Sequence, residues 1–292
     1  MASDLFELPI HIVIGSTLAF LICTTAIYLY NKKPEFLWYG VYLLAIIIYF
    51  SFKSSVTHKL LYPEPNVLTY SIHDASQILF QAAYLLFAIY FLNTQKYYPK
   101  LHTFFKVVLG FLGLFITVHV FLYLAGNSRA NQIMLLNINR ILMIGVFAFN
   151  TIYILVNVKT PLVYFILLGS FCFVIGSVLT WFTEDFHFMT YGVGLENIVF
   201  AYGLGYKVKQ INEERVNAEQ EAFQNQMSSL RAQMNPHFIF NSLNSILGFI
   251  LKGDKKESIR YLSNFSSLLR KVLNTAEQGS ISLEQEISLL KL

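Results

Sequence analysis

The sequence predicts an all-α membrane protein in which a seven-helix transmembrane bundle is followed by a cytoplasmic helical rod and a dimerising helical hairpin. The 292 residues are 55% apolar but only 13% charged, about half the charged share of a soluble protein, and the mean hydropathy is +0.52. Seven apolar runs lie within residues 1–206, whereas residues 207–292 hold more than half of the charged side chains. The change in charge density marks a domain boundary near Lys207.

The composition excludes several other classes of protein. The two cysteines, Cys23 and Cys172, lie in apolar runs and do not form the framework of a disulfide-rich secreted domain. An aromatic content of 16% excludes a disordered chain. A net charge of +4, dispersed along the sequence, gives no basic surface for nucleic acid. We therefore expect membrane lipids, and no nucleic acid, among the direct partners.

Each apolar run is close to the roughly 20 residues that a helix needs to cross the hydrocarbon core. The runs cover residues 9–30, 36–52, 75–92, 103–124, 133–158, 161–182 and 188–206. If the N-terminus lies outside, most of the Lys and Arg residues in the short loops fall on the inner side, which is the usual distribution. Residues 1–206 are therefore expected to be a multi-pass sensor domain with its N-terminus outside and its C-terminus in the cytoplasm.

Ionisable residues inside the apolar runs are few, and they are candidates for function. Arg140, Glu196 and Gln81 lie at one depth, about 10–12 Å below the outer edge at about 1.5 Å per residue. An Arg and a Glu at one depth are better buried together, so we expect an Arg140–Glu196 pair with Gln81 beside it. The pair would be either a structural salt bridge or part of an outward-facing site for a polar ligand or ion. Further polar neighbours would be Asn137, His119 and Asn197.

A charged segment at 207–233 follows the seventh run. It favours helix and places apolar residues at three- and four-residue steps, which indicates a continuous helix or short coiled coil extending from the membrane. No Gly or Pro interrupts it before Pro236. A stiff helix of this kind is what a signal transducer needs.

Residues 234–276 form the pattern of a helical hairpin. At about 100° per residue, the apolar residues of its first helix fall on one stripe, between about 180° and 320° from His237. A polar turn at 252–256 leads to a second helix, from about residue 257 to 274, which also has one apolar stripe. A single hairpin of this kind is too thin to bury its own core. Two hairpins would form a four-helix bundle, so we expect a homodimer.

His237 lies off the apolar stripe of that first helix. Asn241, Asn244 and Gly248 fall within about 40° of it. No Cys or second His is near in sequence, so no metal site is expected. A neutral imidazole can act as a nucleophile, and Asn241 at i+4 is near enough to hydrogen-bond one ring nitrogen and present the other. His237 is the candidate catalytic residue and Asn241 its orienting residue.

Three motifs stand in and after the hairpin. They are Leu-Arg-Ala-Gln-Met-Asn-Pro-His-Phe-Ile-Phe-Asn-Ser-Leu-Asn at 230–244, Leu-Leu-Arg at 268–270 and Ile-Ser-Leu-Glu-Gln-Glu at 281–286. Together they resemble the phosphoacceptor domain of LytS-type bacterial sensor histidine kinases. The seven-helix pattern, with residues 192–205 as its best-matching part, resembles the seven-transmembrane receptors with diverse intracellular signalling modules.

The resemblance implies that His237 accepts the γ-phosphoryl group of ATP and passes it to an aspartate of a cytoplasmic response regulator. It also implies a bacterial inner-membrane location and a stimulus of unknown identity. The sequence departs from many histidine kinases in having Phe238, not an acidic residue, after the histidine. It contains no Gly-rich nucleotide loop and ends at Leu292. We therefore expect ATP and Mg²⁺ to be bound by a domain that this chain lacks, with 277–292 beginning the linker to it.

Two other classes of function remain open from the residues alone. A non-catalytic membrane receptor or scaffold would use the hairpin only to dimerise, and His237 would then be dispensable. A transporter would use the region of Arg140 and Glu196 as its pathway, but the sequence shows no convincing internal repeat.

Overall fold

The computed structural model describes residues 2–63, 66–126, 128–233 and 236–278. Every regular element within these residues is a helix, as the sequence predicts. The chain divides into two compact units, residues 1–209 and 210–292. The helices of the described residues are α1 (Ala2–Asn31), α2 (Pro34–Lys53), α3 (Ser55–Leu61), α4 (Val67–Phe91), α5 (Thr94–Tyr97), α6 (Pro99–Leu124), α7 (Arg129–Asn157), α8 (Leu162–Thr183), α9 (His187–Gln233), α10 (Pro236–Leu251) and α11 (Lys255–Gln278).

Six helices of the first unit are long and apolar enough to cross a membrane, which confirms a multi-pass membrane protein. They are α1 from Glu7, α2, α4, α6, α7 and α8. The seventh predicted run lies in the first part of α9, which is less apolar because it contains Glu196 and Asn197. The predicted fold class, an all-α chain in which a seven-helix membrane bundle precedes a charged helical region, is therefore confirmed, with six to seven apolar helices among the described residues.

The third apolar run begins earlier than the hydropathy indicates. The sequence predicts its start at residue 75, but α4 begins at Val67 after a capping box formed by Asn66 and Thr69. The residues before it also contain the short helix α3, whose N-cap is Ser54. The segment between the second and third predicted runs is consequently mostly helical in its described residues.

Helices α2 and α4 form the interior of the first unit. In the most apolar 18-residue stretch of each of these two helices, 61% of the residues are buried. The corresponding share is 17% in α1, α6 and α7, whose exposed apolar side chains suit contact with lipid. The core between α2, α4 and α9 is aromatic: the Tyr39 ring lies 5.1 Å from Phe87 and 5.8 Å from Phe200.

Glycines bring α8 and α9 into backbone contact. A Cβ atom on Gly176 would lie 2.6 Å from the Phe188 carbonyl oxygen, and one on Gly192 would lie 2.7 Å from the Cys172 carbonyl oxygen. Only glycine fits at these two positions. This close approach is typical of small residues at helix contacts in membranes.

The charged segment predicted to be a rod is part of α9. This single helix of 47 residues runs from His187 to Gln233, which confirms the continuous helix expected from the sequence. Side chains are exposed at nearly every position from 212 to 229. The helix is held in this region by its own backbone hydrogen bonds and by local pairs such as Arg215 with Glu219, 3.0 Å apart.

Candidate functional site

A tight turn joins the two helices of the hairpin. Gly253 adopts a left-handed conformation, with φ of +75°, and its N–H donates to the Ile250 carbonyl. The Asp254 N–H donates to the Phe249 carbonyl, which completes a Schellman motif at the end of α10. The Asp254 side chain then accepts from the Glu257 N–H and caps α11. The turn fixes α10 and α11 as an antiparallel pair.

The two helices bury a thin strip of side chains against each other. Ser242, Ile246 and Ser258 are buried, and the rings of Phe249 and Tyr261 lie 5.7 Å apart. Ile239, Phe265, Leu268 and Leu269 are half-buried within the single chain.

Most of the predicted apolar stripe of α10 is exposed. Phe240 is 65% exposed and Leu251 is 80% exposed, and a groove of about 310 Å³ runs between the helices past Ile250 and Leu262. The exposed members of the stripe are Phe240, Leu243, Leu247, Ile250 and Leu251. An exposed apolar face of this kind on a charged domain is typical of an interaction surface.

His237 lies in the first turn of α10 and is exposed. The Asn241 amide nitrogen lies 3.2 Å from Nδ1 and 3.3 Å from Nε2 of the imidazole, so it lies over the ring at nearly equal distance from the two nitrogens. The backbone carbonyl of Asn241 accepts a hydrogen bond from the Ser245 hydroxyl at 2.9 Å. The i, i+4 spacing thus brings the two predicted residues together on one face of the helix.

In the membrane unit, the structure does not bring Arg140 and Glu196 together. Glu196 is 1% exposed and accepts a hydrogen bond of 2.5 Å from the Tyr42 hydroxyl, between α9 and α2. Arg140 donates to Gln77 at 2.6 Å and to Asn137 at 3.1 Å. The predicted Arg140–Glu196 pair is therefore wrong, since each residue has a different partner. Two residues at equal depth need not lie on facing sides of their helices.

Arg140 belongs to a row of polar contacts between α4 and α7. Asp74 binds Arg129 through both carboxylate oxygens, Gln77 accepts from Arg140, and Gln81 accepts from Asn139 at 2.8 Å. We call this row the α4–α7 polar row. Asp74, Gln77 and Gln81 stand at i, i+3 and i+7, a helical spacing that could have revealed the row from sequence. Of the expected neighbours, Asn137 contacts Arg140, whereas His119 contacts Ser71 and Asn197 contacts Thr17.

Metal binding has no support in the part of the chain that the structure describes. No group of three or more His, Cys, Asp or Glu side chains is close enough there to hold a metal ion.

Each of the two units contains a segment that matches a known protein family. Residues 10–207 match the family of 7TM diverse intracellular signalling proteins, and residues 225–292 match the histidine kinase family. Sensor protein LytS of Staphylococcus epidermidis is 37% identical over 62 residues, and Sensor protein LytS of Staphylococcus saprophyticus is 39% identical over 62 residues. Each match covers 21% of this chain and 10% of the relative. No solved structure matches.

Proposed function

Because this chain belongs to the 7TM diverse intracellular signalling family, we propose that it is a membrane sensor histidine kinase of a two-component system. The observation that carries the proposal is an exposed His237 with Asn241 against its ring nitrogens, in a segment that matches the histidine kinase family. His237 is the phosphoacceptor in this proposal. The chain spans about a tenth of the length of its curated relatives, so the activity of the whole protein is part of the proposal.

The reaction uses His237 as a nucleophile. One ring nitrogen donates its lone pair to the γ-phosphorus of ATP, and a nitrogen–phosphorus bond forms as the bond to the bridging oxygen breaks. The electron pair of that bond leaves with ADP. The imidazolium then releases the proton of its other nitrogen to solvent, which reaches this exposed side chain. In the second step the nitrogen–phosphorus bond breaks and the phosphoryl group passes to a response regulator aspartate.

Asn241 is the positioning residue in this scheme. Its amide nitrogen is only a donor, so against the ring it engages the nitrogen that holds the lone pair. That arrangement competes with phosphorylation. A half-turn of the amide puts the carbonyl oxygen there instead, where it accepts the ring N–H and leaves the other nitrogen free to attack. The amide can therefore hold the histidine in a resting or a reactive state.

A second copy of the chain covers the exposed stripe of α10. Phe240, Leu243 and Leu247 project from the hairpin, and pairing two hairpins would bury them in a four-helix bundle. Dimerisation is also what membership of the two-component sensor kinases implies. The homodimer then presents two copies of His237.

In this proposal the signal enters through the membrane unit, which lies in the inner membrane of a bacterium. Its N-terminus is outside the cell membrane and its C-terminus is in the cytoplasm. The first part of α9 carries Glu196 in the bundle, and the same helix continues to Gln233. A stimulus that shifts α9 therefore acts on the segment that leads to His237. ATP with Mg²⁺ is the phosphoryl donor in this proposal.

The proposal is tested on the longest form of the protein that its gene encodes. Incubation with γ-labelled ATP and Mg²⁺ should give a label that is acid-labile, base-stable and lost in His237→Gln. His102→Gln is the matched control, because His102 lies in the first turn of α6 and contacts Thr94. Equal labelling of His237→Gln and the wild type would overturn the assignment.

The alternative function is a receptor or scaffold that signals through the hairpin without phosphotransfer. The exposed stripe around Leu243 is the observation that favours it. This alternative predicts normal signalling by His237→Gln in cells and loss of signalling by Leu243→Glu. A kinase loses signalling in both variants.

A further inference from the structure

Three basic side chains, one at the end of α2 and two on α7, act on one buried histidine of α4. Lys53, Arg129 and Arg140 all act electrostatically on the ring of His73. His73 is 5% exposed and lies between the rings of Tyr49 and Phe52, at centroid distances of 4.7 and 4.4 Å. Its Nδ1 atom has no hydrogen-bond partner in the part of the chain that the structure describes. We call Lys53, His73, Arg129 and Arg140 the basic cluster.

The basic cluster has fewer counter-charges than cations. Asp74 binds Arg129, and its carboxylate also acts on Lys53. Two other carboxylates of the unit are engaged elsewhere: Glu7 accepts from the Ser55 N–H at 3.0 Å, and Glu196 accepts from Tyr42. Asp74 is therefore the one carboxylate that acts on members of the basic cluster among the described contacts.

Asp185 near the start of α9 is likewise engaged in its own turn. The His187 backbone N–H donates to it at 3.0 Å, and this bond holds the pKa of the Asp185 carboxyl below its usual value. Its charge is directed to the first turn of α9.

Arg140 is the member whose charge is least compensated. Arg140 donates hydrogen bonds to Gln77 and Asn137, two neutral amides, and its side chain is exposed on the bundle. Amide oxygens satisfy guanidinium N–H groups but do not neutralise the charge. An arginine inside an apolar helix is costly without a counter-ion, and it marks a binding site by default.

We propose that the basic cluster binds an oxyanion, a carboxylate or phosphate group, with Arg140 as its main ligand. The planar guanidinium suits two oxygens of such a group, and Gln77 and Asn137 hold it in place. Lys53 adds a second positive charge, and Arg129 stays with Asp74. Two sources share this chemistry: the headgroup of an anionic phospholipid and a small soluble anion.

The site deepens the proposed sensor function, because an anion bound here is the class of stimulus that the bundle would detect. Gln77 connects Arg140 to α4, which packs on α2 next to Tyr42. Binding itself is independent of phosphotransfer. A failure at His237 would therefore leave the anion site untouched, and a failure here would leave the kinase assignment untouched.

The experiment measures thermal unfolding of the full chain in lipid nanodiscs. Inorganic phosphate and succinate are titrated at constant ionic strength into phosphatidylcholine discs, and a second set of discs contains phosphatidylglycerol. We expect Tm to rise by about 3 °C when one of these anions is at about ten times its Kd. Free anions acting in phosphatidylcholine indicate a soluble ligand, whereas an effect of phosphatidylglycerol alone indicates a headgroup.

Variants separate binding from general charge effects. Arg140→Gln should lose the rise in Tm, and Lys53→Gln should reduce it. Lys106→Gln is the control: Lys106 is an exposed cation of α6 that acts on His102, outside the basic cluster, and the rise should persist. Without anion, Arg140→Gln should unfold at the wild-type temperature or above, since it removes an uncompensated charge.

Two results would overturn the site. The first is the absence of any rise in Tm with either free anion or with phosphatidylglycerol. The second is an Arg140→Gln protein that unfolds at lower temperature without anion yet keeps the full rise, because Arg140 would then have only a structural role.

Discussion

The Tyr42 hydroxyl donates a hydrogen bond of 2.5 Å to the buried carboxyl group of Glu196, and so joins α2 to α9. Tyr39 lies beside this bond, with its ring 5.9 Å from that of Tyr42. The bond gives the helix that continues into the charged segment a polar anchor inside an aromatic core. It is therefore a point at which packing of the membrane unit sets the position of α9.

Removing the Tyr42 hydroxyl should destabilise the membrane unit. Tyr42→Phe leaves the Glu196 carboxyl buried without its donor, which costs about 1–3 kcal/mol. Thermal unfolding in nanodiscs should show a Tm lower by several degrees. Glu196→Gln keeps an oxygen that accepts from Tyr42 and should be milder. A Tyr42→Phe protein with wild-type Tm would show that the bond contributes nothing to stability.

The glycine contact between α8 and α9 gives a second prediction. Gly176→Ala places a methyl group 2.6 Å from the Phe188 carbonyl oxygen, so the helices must separate, at a cost of about 1–3 kcal/mol. Gly110→Ala is the matched control, because nothing lies within 4 Å of its added methyl group. The Tm of Gly176→Ala should fall while that of Gly110→Ala stays level or rises. Equal values for the two variants would contradict the close packing.

The hairpin surface predicts separate effects on dimerisation and on folding. Leu243→Glu puts a charge on the exposed stripe and should convert the dimer to a monomer with unchanged helix content. Ile246→Ala removes a side chain that is buried within one hairpin and should lower its stability by about 2 kcal/mol.

Light scattering and circular dichroism of the full chain in detergent would measure these two effects. Ser263→Glu, an exposed position in α11 off its apolar stripe, should remain dimeric. If Leu243→Glu also remains dimeric, the stripe is not the dimer interface.

Asn241 should affect the rate of phosphorylation without affecting folding. Asn241→Leu removes the amide oxygen that accepts the ring N–H in the proposed reactive state. It should slow labelling of the full-length protein about tenfold, the value of one net hydrogen bond. Asn241→Asp restores an acceptor and should recover most of the rate. Single-turnover labelling with γ-labelled ATP measures both. Failure of the aspartate variant to recover would exclude positioning through an acceptor.

Contacts within one helix were accessible from the sequence, whereas contacts between helices were not. The proximity of His237 and Asn241 follows from a four-residue step along α10. The partner of Glu196 does not follow from its depth, because depth leaves the rotation of each helix undetermined. Tyr42 was missed because its hydroxyl lies in a run that reads as apolar.

The start of α4 was missed for a related reason. Residues 67–74 include His73 and Asp74, which lower the hydropathy of a segment that is nonetheless helical. These two polar residues are buried against other parts of the bundle, with Asp74 bound to Arg129. Hydropathy locates lipid-facing segments better than it locates a polar helix in the interior of a bundle.

The glycine contact between α8 and α9 also limits how the membrane unit can move. Side chains between two helices can change rotamer and absorb a small displacement, but at Gly176 and Gly192 backbone meets backbone and there is no such layer. The membrane part of α9 therefore cannot tilt or turn against α8 without losing this contact. A stimulus that displaces α8 from its lipid-facing side would therefore reach α9 through this contact.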